Sequence, residues 1–348
     1  MQKRIFSFAL MLMAGVSILM AQNAIQRETE VYSIKGKDTL KVDVYVNPQT
    51  EVKAEGRPVM IYIHGGGFTV GSRINAAQQV YFHYMANQGW LVAAINYRLA
   101  GLQADAEGKV NNPYGVKGNL EAIRMACADA IDATNYLLKQ TKWKINPQQI
   151  VLAGGSAGAA TSLQLEYDWC NGEPYTKALP QGFKYAGVLS QSGTIATPQE
   201  QEELVWKSKP CPIMLMHGSN DTMVPLEKEK IVVLDVGEPC NYHGTEYIAR
   251  QLKEMDVPYW RFISEGADHV IAMLALTRYQ EEQYRFLNDF VVGGLQGSVN
   301  TIVADKEPAN MADANMMIKY VPLYILGYGQ YLEDIDWTKV QKPANVVY

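Results

Sequence analysis

The segment Gly154-Gly155-Ser156-Ala157-Gly158 constrains this chain more than any other feature of its sequence. A short apolar run, Ile150 to Ala153, precedes it, and a helix-like stretch, Ala157 to Trp169, follows it. Small glycine neighbours allow a serine between a strand and a helix to occupy a sharp turn with its hydroxyl exposed. The pattern predicts a nucleophilic Ser156, although a glycine-rich turn without chemistry produces the same five letters.

A second glycine-rich motif, His64-Gly65-Gly66-Gly67-Phe68, directly follows the apolar run Val59 to Ile63. Without side chains in the way, the backbone N–H groups of such a run can face an oxygen that becomes negatively charged during a reaction. Together with the N–H of Ala157, next to the nucleophile, they predict an oxyanion hole. A merely flexible glycine loop is the alternative.

Apolar runs and helix-like segments alternate along the chain and are joined by short loops. This order predicts an α/β fold with a doubly wound, mainly parallel sheet and helices on both faces. The predicted strands are Glu30 to Ile34, Leu40 to Val46, Val59 to Ile63, Leu91 to Ile95, Ile150 to Ala153, Tyr185 to Leu189, Ile213 to Met216 and Tyr259 to Ile263. The predicted helices are Asn75 to Gln88, Asn119 to Lys139, Ala157 to Trp169, Thr245 to Met255 and Val270 to Val292, and Gly101 to Gly118 is predicted to be a long loop.

The two glycine motifs and Asn96-Tyr97-Arg98-Leu99 together resemble the HGGG-type carboxylesterase and lipase branch of the α/β-hydrolase family. The resemblance covers roughly Leu40 to Val292 and implies the α/β-hydrolase fold. It also implies that Gly66 and Gly67 supply the oxyanion N–H groups, while His64 holds the loop in place.

The chain departs from this family in three places. Gly155 stands before the serine, where esterases often have an acidic residue. An unusual insertion spans Leu226 to Tyr242, and residues 293–348 form a C-terminal extension that we expect to pack on the catalytic domain, residues 22–292. These departures leave the predicted reactive residues in place, but they weaken any inference about the substrate from the family.

In this fold the acid and the base follow the serine in the order serine, acid, histidine. His269 comes just after the strand Tyr259 to Ile263, and it is the predicted base, with His243 as the alternative. Asp221 lies just beyond the strand Ile213 to Met216 and is the predicted acid, although a solvated loop aspartate would look similar. His217 ends that strand, where we expect it to hold a loop through hydrogen bonds.

The N-terminus predicts export. Lys3 and Arg4 precede an apolar run from Ile5 to Ala21, which is typical of a signal peptide over residues 1–21, with an uncleaved anchor as the alternative. The 348 residues are 48% apolar with a net charge of -5 and no basic block, so we expect no nucleic-acid partner and no stable membrane insertion after cleavage.

The four cysteines lack the CxxC spacing of metal sites, and no cofactor or metal is expected. Because Cys211 and Cys240 flank Asp221, a disulfide between them is one hypothesis that export allows, and buried free thiols are the alternative.

The predicted function is serine-dependent hydrolysis of carboxylic esters through an acyl-enzyme. The alternatives are an exported serine peptidase of the same fold and an inert binding protein on a hydrolase scaffold. The segment Ser190 to Pro212 is too short for a large cap domain, which predicts an open site and short acyl groups. Family context alone suggests acetyl or feruloyl esters of plant polysaccharide as substrates.

Overall fold

A computed structural model describes residues 25–101, 103–104, 109–231 and 237–304. The predicted signal peptide and most of the C-terminal extension lie outside the described residues.

The described residues form a large sheet and several short strands around it. The strands are β1 Gln26–Lys35, β2 Asp38–Val46, β3 Arg57–Ile63, β4 Leu91–Ile95, β5 Gln103–Ala104, β6 Val110–Asn111, β7 Ile145–Gly155, β8 Gly187–Gln191, β9 Ile195–Pro198, β10 Ile213–Gly218, β11 Lys228–Ile231, β12 Cys240–His243, β13 Tyr259–Glu265 and β14 Ser298–Ala304. The helices are α1 Ala76–Asn87, α2 Asn119–Leu138, α3 Ala157–Asn171, α4 Thr245–Glu254, α5 Ile271–Arg278 and α6 Gln280–Phe286, with a 3-10 turn at Pro174–Ala178 and a π-helical turn at Leu287–Val292.

Nine strands form the main sheet in the order β1-β2-β4-β3-β7-β8-β10-β13-β14. The hairpin β1-β2 is antiparallel and joins β4 antiparallel, while every pairing from β4 to β14 is parallel. The prediction of a mainly parallel sheet that begins with a hairpin is confirmed.

Both faces of the sheet are buried under helices. Along β3, Ile61 and Ile63 belong to one apolar cluster, which also contains residues of α2, α3 and α4. Met60 and Tyr62 point the other way, into a second cluster with residues of α1, α5 and α6. This alternation explains why the central strands are apolar without interruption, and it confirms the doubly wound architecture.

The predicted long helix from Val270 to Val292 is wrong in detail, because the structure breaks it at Tyr279. The backbone of Tyr279 leaves helical geometry, with φ -120° and ψ 36°, and its ring packs against Phe262 of β13 with centroids 4.6 Å apart. The side-chain amide of Gln283 donates to the carbonyl oxygens of Ala275 and Tyr279, and so links the two helical segments on either side of the break. Packing against the sheet therefore overrides the helical periodicity.

Three further regions differ from the sequence analysis. The catalytic sheet continues past residue 292, because β14 pairs in parallel with β13 as its ninth strand. The insertion contributes β11 and β12, which form a small antiparallel sheet with β9. The predicted loop from Gly101 to Gly118 contains the short pair β5 and β6.

The predicted disulfide between Cys211 and Cys240 is wrong, because both residues are free thiols. The backbone N–H of Cys211 donates to the buried carboxylate of Glu166 at 2.8 Å, whereas Cys240 lies in β12. Cys127 and Cys170 are free and buried as well.

Replacement of Gln283 by leucine is expected to lower the free energy of unfolding by about 2–4 kcal/mol, because buried polar groups lose their partner. These groups include the side-chain amide of Gln191, which donates to Gln283 at 2.6 Å. Gln280→Leu is the matched control, since the amide of Gln280 bonds one carbonyl, that of Leu276, and a loss of about 1 kcal/mol is expected. Equal losses in urea denaturation would contradict this account.

Candidate active site

Ser156 occupies the turn between β7 and α3 in a backbone conformation that residues with a side chain rarely adopt. Its φ is 54° and its ψ is -120°. The N–H of Ser156 donates to the carbonyl oxygen of Gln191 on the neighbouring strand at 2.8 Å. At Gly158 a Cβ would lie 1.9 Å from the carbonyl oxygen of Ile63, so glycine is required for α3 to approach β3 this closely. The turn places the serine hydroxyl at the start of α3.

A continuous chain of hydrogen bonds joins Ser156, His269 and Asp221. The Ser156 Oγ lies 2.8 Å from Nε2 of His269, and Nδ1 of His269 lies 2.7 Å from Oδ2 of Asp221. An ionised carboxylate can only accept, so Nδ1 carries the ring proton and Nε2 offers its lone pair to the serine hydroxyl. In this tautomer His269 can take the hydroxyl proton.

Four donors surround the buried carboxylate of Asp221. Its Oδ1 accepts the N–H groups of Met223 and Val224, both at 2.9 Å, and its Oδ2 lies 3.1 Å from Nε2 of His217 in addition to the His269 contact. Burial alone would raise the pKa of Asp221, but the hydrogen bonds from His217 and His269 outweigh it and hold that pKa well below its ordinary value. The carboxylate is therefore ionised at neutral pH.

The glycine loop after β3 lies directly against the serine. A Cβ placed on Gly65 would be 3.2 Å from the Cβ of Ser156. The carbonyl oxygen of Gly66 accepts the N–H groups of Thr69 and Val70, which folds the loop into a tight turn. Within the described part of the chain, no protein acceptor takes the N–H groups of Gly66, Gly67 or Ala157. Unpaired N–H groups beside a nucleophile can stabilise an oxyanion.

The six predicted site residues thus converge on one end of the sheet. Ser156, His269 and Asp221 are in direct contact, Ala157 opens α3 next to the serine, and the loop of Gly66 and Gly67 lies beside it. Such an arrangement can carry out nucleophilic acyl transfer.

Residues 18–198, just over half of the chain, match the carboxylesterase family. The chain belongs to the carboxylesterase family. The matched region contains Ser156 and the glycine loop but ends before Asp221 and His269, which the fold brings to the serine from the second half of the chain.

Curated relatives are similar to parts of this carboxylesterase-family chain. Gut esterase 1 of Caenorhabditis elegans is 29% identical over 174 residues, which is 50% of this chain and 29% of that protein. Fumonisin B1 esterase of Sphingopyxis macrogoltabida is 30% identical over 126 residues, which is 36% of this chain and 22% of that protein. The matches thus span less than a third of the length of these relatives.

Solved structures of other proteins are similar in fold to this chain. Esterase 2 of Thermogutta terrifontis, solved with propionate bound, aligns with a TM-score of 0.54 at 19% identity, over 76% of this chain and 94% of that one. The α/β hydrolase MGS-M1, from a Medee basin deep-sea metagenome library, aligns with a TM-score of 0.50 at 16% identity, over 78% of this chain and 99% of that one. The predicted α/β-hydrolase fold is confirmed.

His64 supports the glycine loop in this family member. Its Nδ1 donates to the carbonyl oxygen of Gly65 at 2.7 Å, and its ring stacks on Tyr97 with centroids 4.4 Å apart. The hydroxyl of Tyr97 in turn donates to the carbonyl oxygen of His64 at 3.0 Å, which ties the loop to the end of β4. Burial lowers the pKa of His64 to about 4, so the ring is neutral.

His243, the alternative base, contacts a different part of the carboxylesterase fold. It ends β12 in the small sheet, where its Nε2 lies 3.0 Å from Oγ1 of Thr197. Burial lowers the pKa of His243 to about 4. His243 is therefore hydrogen-bonded within the small sheet, whereas His269 is the histidine that contacts Ser156.

The sequence analysis missed one contributor to the site, Gln191, and recognised only part of the role of another, His217. Gln191 supplies the carbonyl oxygen that holds Ser156, and its position at the end of β8, the strand beside β7, was the available signal. His217 holds the loop as predicted, since its Nε2 lies 3.1 Å from the carbonyl oxygen of Val224, but it also contacts Asp221.

Metal sites and membrane spans were searched for in residues 25–304, apart from the internal gaps. There, no three His, Cys, Asp or Glu side chains are grouped so that they could hold a metal ion. No helix in the same residues is both long and apolar enough to cross a membrane.

Gly66→Ala and Gly67→Ala are expected to differ sharply in stability. At Gly66, with φ 121°, a Cβ would lie 2.0 Å from the carbonyl oxygen of Val70, so the loop must move. At Gly67, with φ 59°, the nearest atom is 3.9 Å away, so only left-handed backbone strain of about 1 kcal/mol remains. Thermal unfolding should show a clearly larger loss for Gly66→Ala, and equal losses would contradict the loop geometry.

Proposed function

We propose that this chain is a serine carboxylesterase that acts through an acyl-enzyme. The observation that carries the proposal is the chain of 2.8 and 2.7 Å hydrogen bonds from Ser156 through His269 to Asp221. Membership of the carboxylesterase family supports the same class of reaction.

Acylation begins when the Ser156 Oγ attacks the ester carbonyl carbon and its proton passes to Nε2 of His269. The carbonyl oxygen becomes negatively charged and is stabilised by the N–H groups of Gly66, Gly67 and Ala157. The ionised Asp221 stabilises the imidazolium. When the carbonyl re-forms, the bond to the alcohol oxygen breaks, and that oxygen takes the proton from Nε2.

Deacylation repeats these steps with water as the nucleophile. His269 removes a proton from water as the hydroxyl oxygen attacks the acyl carbon, and the same N–H groups stabilise the second oxyanion. The bond to Ser156 then breaks, and its Oγ regains a proton from His269. The carboxylic acid leaves and the free enzyme is restored.

Ser156→Ala and His269→Ala are each expected to lower ester turnover by at least ~10³-fold without unfolding the protein, because nucleophile and base act as a unit. Hydrolysis of nitrophenyl acetate, with circular dichroism as the test of folding, measures this. His243→Ala is the control, and its activity per folded molecule should match the unchanged protein. An inactive His243→Ala beside an active His269→Ala would reverse the assignment of the base.

The preferred acyl group is short. Between β8 and β10 the structure contains only β9 and its connections, so no cap domain is inserted there. Long acyl chains need an apolar wall to bury them, and each methylene left in water forfeits about 0.8 kcal/mol. An acetyl group loses least, while a large alcohol can extend into solvent.

A series of nitrophenyl esters with acyl chains of increasing length tests this preference. We expect the highest kcat/KM at acetyl to butyrate and a decline beyond, because no cap domain is inserted between β8 and β10 to bury a longer chain. A methylumbelliferyl series with the same acyl groups controls for the leaving group. A maximum at about eight carbons or more would contradict an open site.

We also propose that the enzyme is exported and acts on acetyl or feruloyl esters of plant polysaccharide. The basic start and apolar run of residues 1–21 support export. Acetylated and feruloylated oligosaccharides, compared with the nitrophenyl esters at matched concentration, separate these two substrates from a general short-chain activity.

A further inference from the structure

His217 is a buried histidine that the proposed reaction does not use. It lies in β10, four residues before Asp221, and its side chain has no exposure to solvent. Its Nε2 lies 3.1 Å from both Oδ2 of Asp221 and the carbonyl oxygen of Val224. Its Nδ1 lies 2.9 Å from Oγ1 of Thr245, the first residue of α4.

These contacts determine the tautomer of the ring. Both partners of Nε2 are acceptors, a carboxylate that is ionised and a backbone carbonyl, so Nε2 carries the proton. The hydroxyl of Thr245 can donate, and Nδ1 is then its acceptor. His217 is therefore a hydrogen-bond donor aimed at Asp221, and its contact with Thr245 of α4 holds the ring in that orientation.

We propose that His217 is a positioning residue that orients the Asp221 carboxylate toward His269. This inference rests on the serine esterase mechanism proposed above. His217 and His269 donate to the same oxygen, Oδ2, while two backbone N–H groups hold Oδ1. With all four contacts made, the carboxylate cannot rotate away from Nδ1 of His269.

The same contact also helps to lower the pKa of Asp221 against the effect of burial. The titratable groups that hydrogen-bond Asp221 are His217 from β10 and His269 from the loop before α5, and Thr245 reaches it only through His217. Burial raises the pKa of Asp221, and the hydrogen bond from His217 lowers it. Without His217 the effect of burial is offset by one fewer donor, and the pKa of Asp221 rises. Loss of activity on acidification should then begin at a higher pH.

His217→Phe removes the donor and keeps a ring of similar size. We expect kcat to fall about tenfold to hundredfold, as for loss of a hydrogen bond to a charged group, with KM changed less than about twofold. The acid limb of the kcat profile should move to higher pH. His217→Gln, whose amide can donate to Oδ2, should restore most of kcat and the original limb.

His243→Phe is the matched control, because it removes an equally buried histidine that bonds Thr197 instead of Asp221. It should lower stability but leave kcat per active site and the pH profile unchanged. Active sites are counted by stoichiometric reaction with a fluorophosphonate. A wild-type profile for His217→Phe, or equal effects of both phenylalanine variants, would overturn the proposal.

Two further measurements keep the test decisive. If His217→Phe does not fold, Thr245→Val removes only the hydroxyl that orients the ring, and an unmoved acid limb in that variant overturns the proposal. The low-field NMR resonance of the His269 Nδ1 proton reports its bond to Asp221 without turnover. It should shift in His217→Phe and stay in place in His243→Phe, even if the unchanged enzyme hydrolyses no ester and the proposed function itself fails.

Discussion

The left-handed turn at Ser156 is the constraint on which the rest of the site depends. A non-glycine residue at φ 54° costs of order 1–3 kcal/mol, so the surrounding structure must hold it there. The hydrogen bond from its N–H to Gln191 and the close approach of Gly158 to Ile63 do so through backbone atoms. The central strands therefore fix the backbone from which the serine side chain projects, and the contact with His269 orients its hydroxyl.

Parallel pairing then brings the other residues to the same place. β7, β8, β10 and β13 run in one direction, so their carboxyl ends meet at one edge of the sheet. Ser156 follows β7, Asp221 follows β10 and His269 follows β13. Residues separated by 48 and 113 positions in the chain therefore come within 2.7 and 2.8 Å of each other.

The sequence predicted most of the sheet because central strands buried on both faces are continuously apolar, and it indicated the site because glycine motifs mark its turns. It missed the break at Tyr279, because the break depends on a tertiary contact between the rings of Tyr279 and Phe262, which the spacing of apolar residues cannot predict. It missed β14, whose alternately exposed residues lie at the sheet edge without a continuous apolar run. The free state of Cys211 was equally hidden, because its partner Glu166 is distant in sequence.

Burial and partners together decide which histidine can act as a base. His64 and His243 are enclosed, the pKa of each is lowered to about 4, and each ring is bonded to a structural partner. His217 is also enclosed, and its proton points at Asp221, so it can only donate there. The ring of His269 keeps 12% of its surface exposed and has its second nitrogen against Ser156. The fold thus uses two histidines in different ways. His217 is a fixed donor to the carboxylate of Asp221, whereas His269 accepts the proton of Ser156.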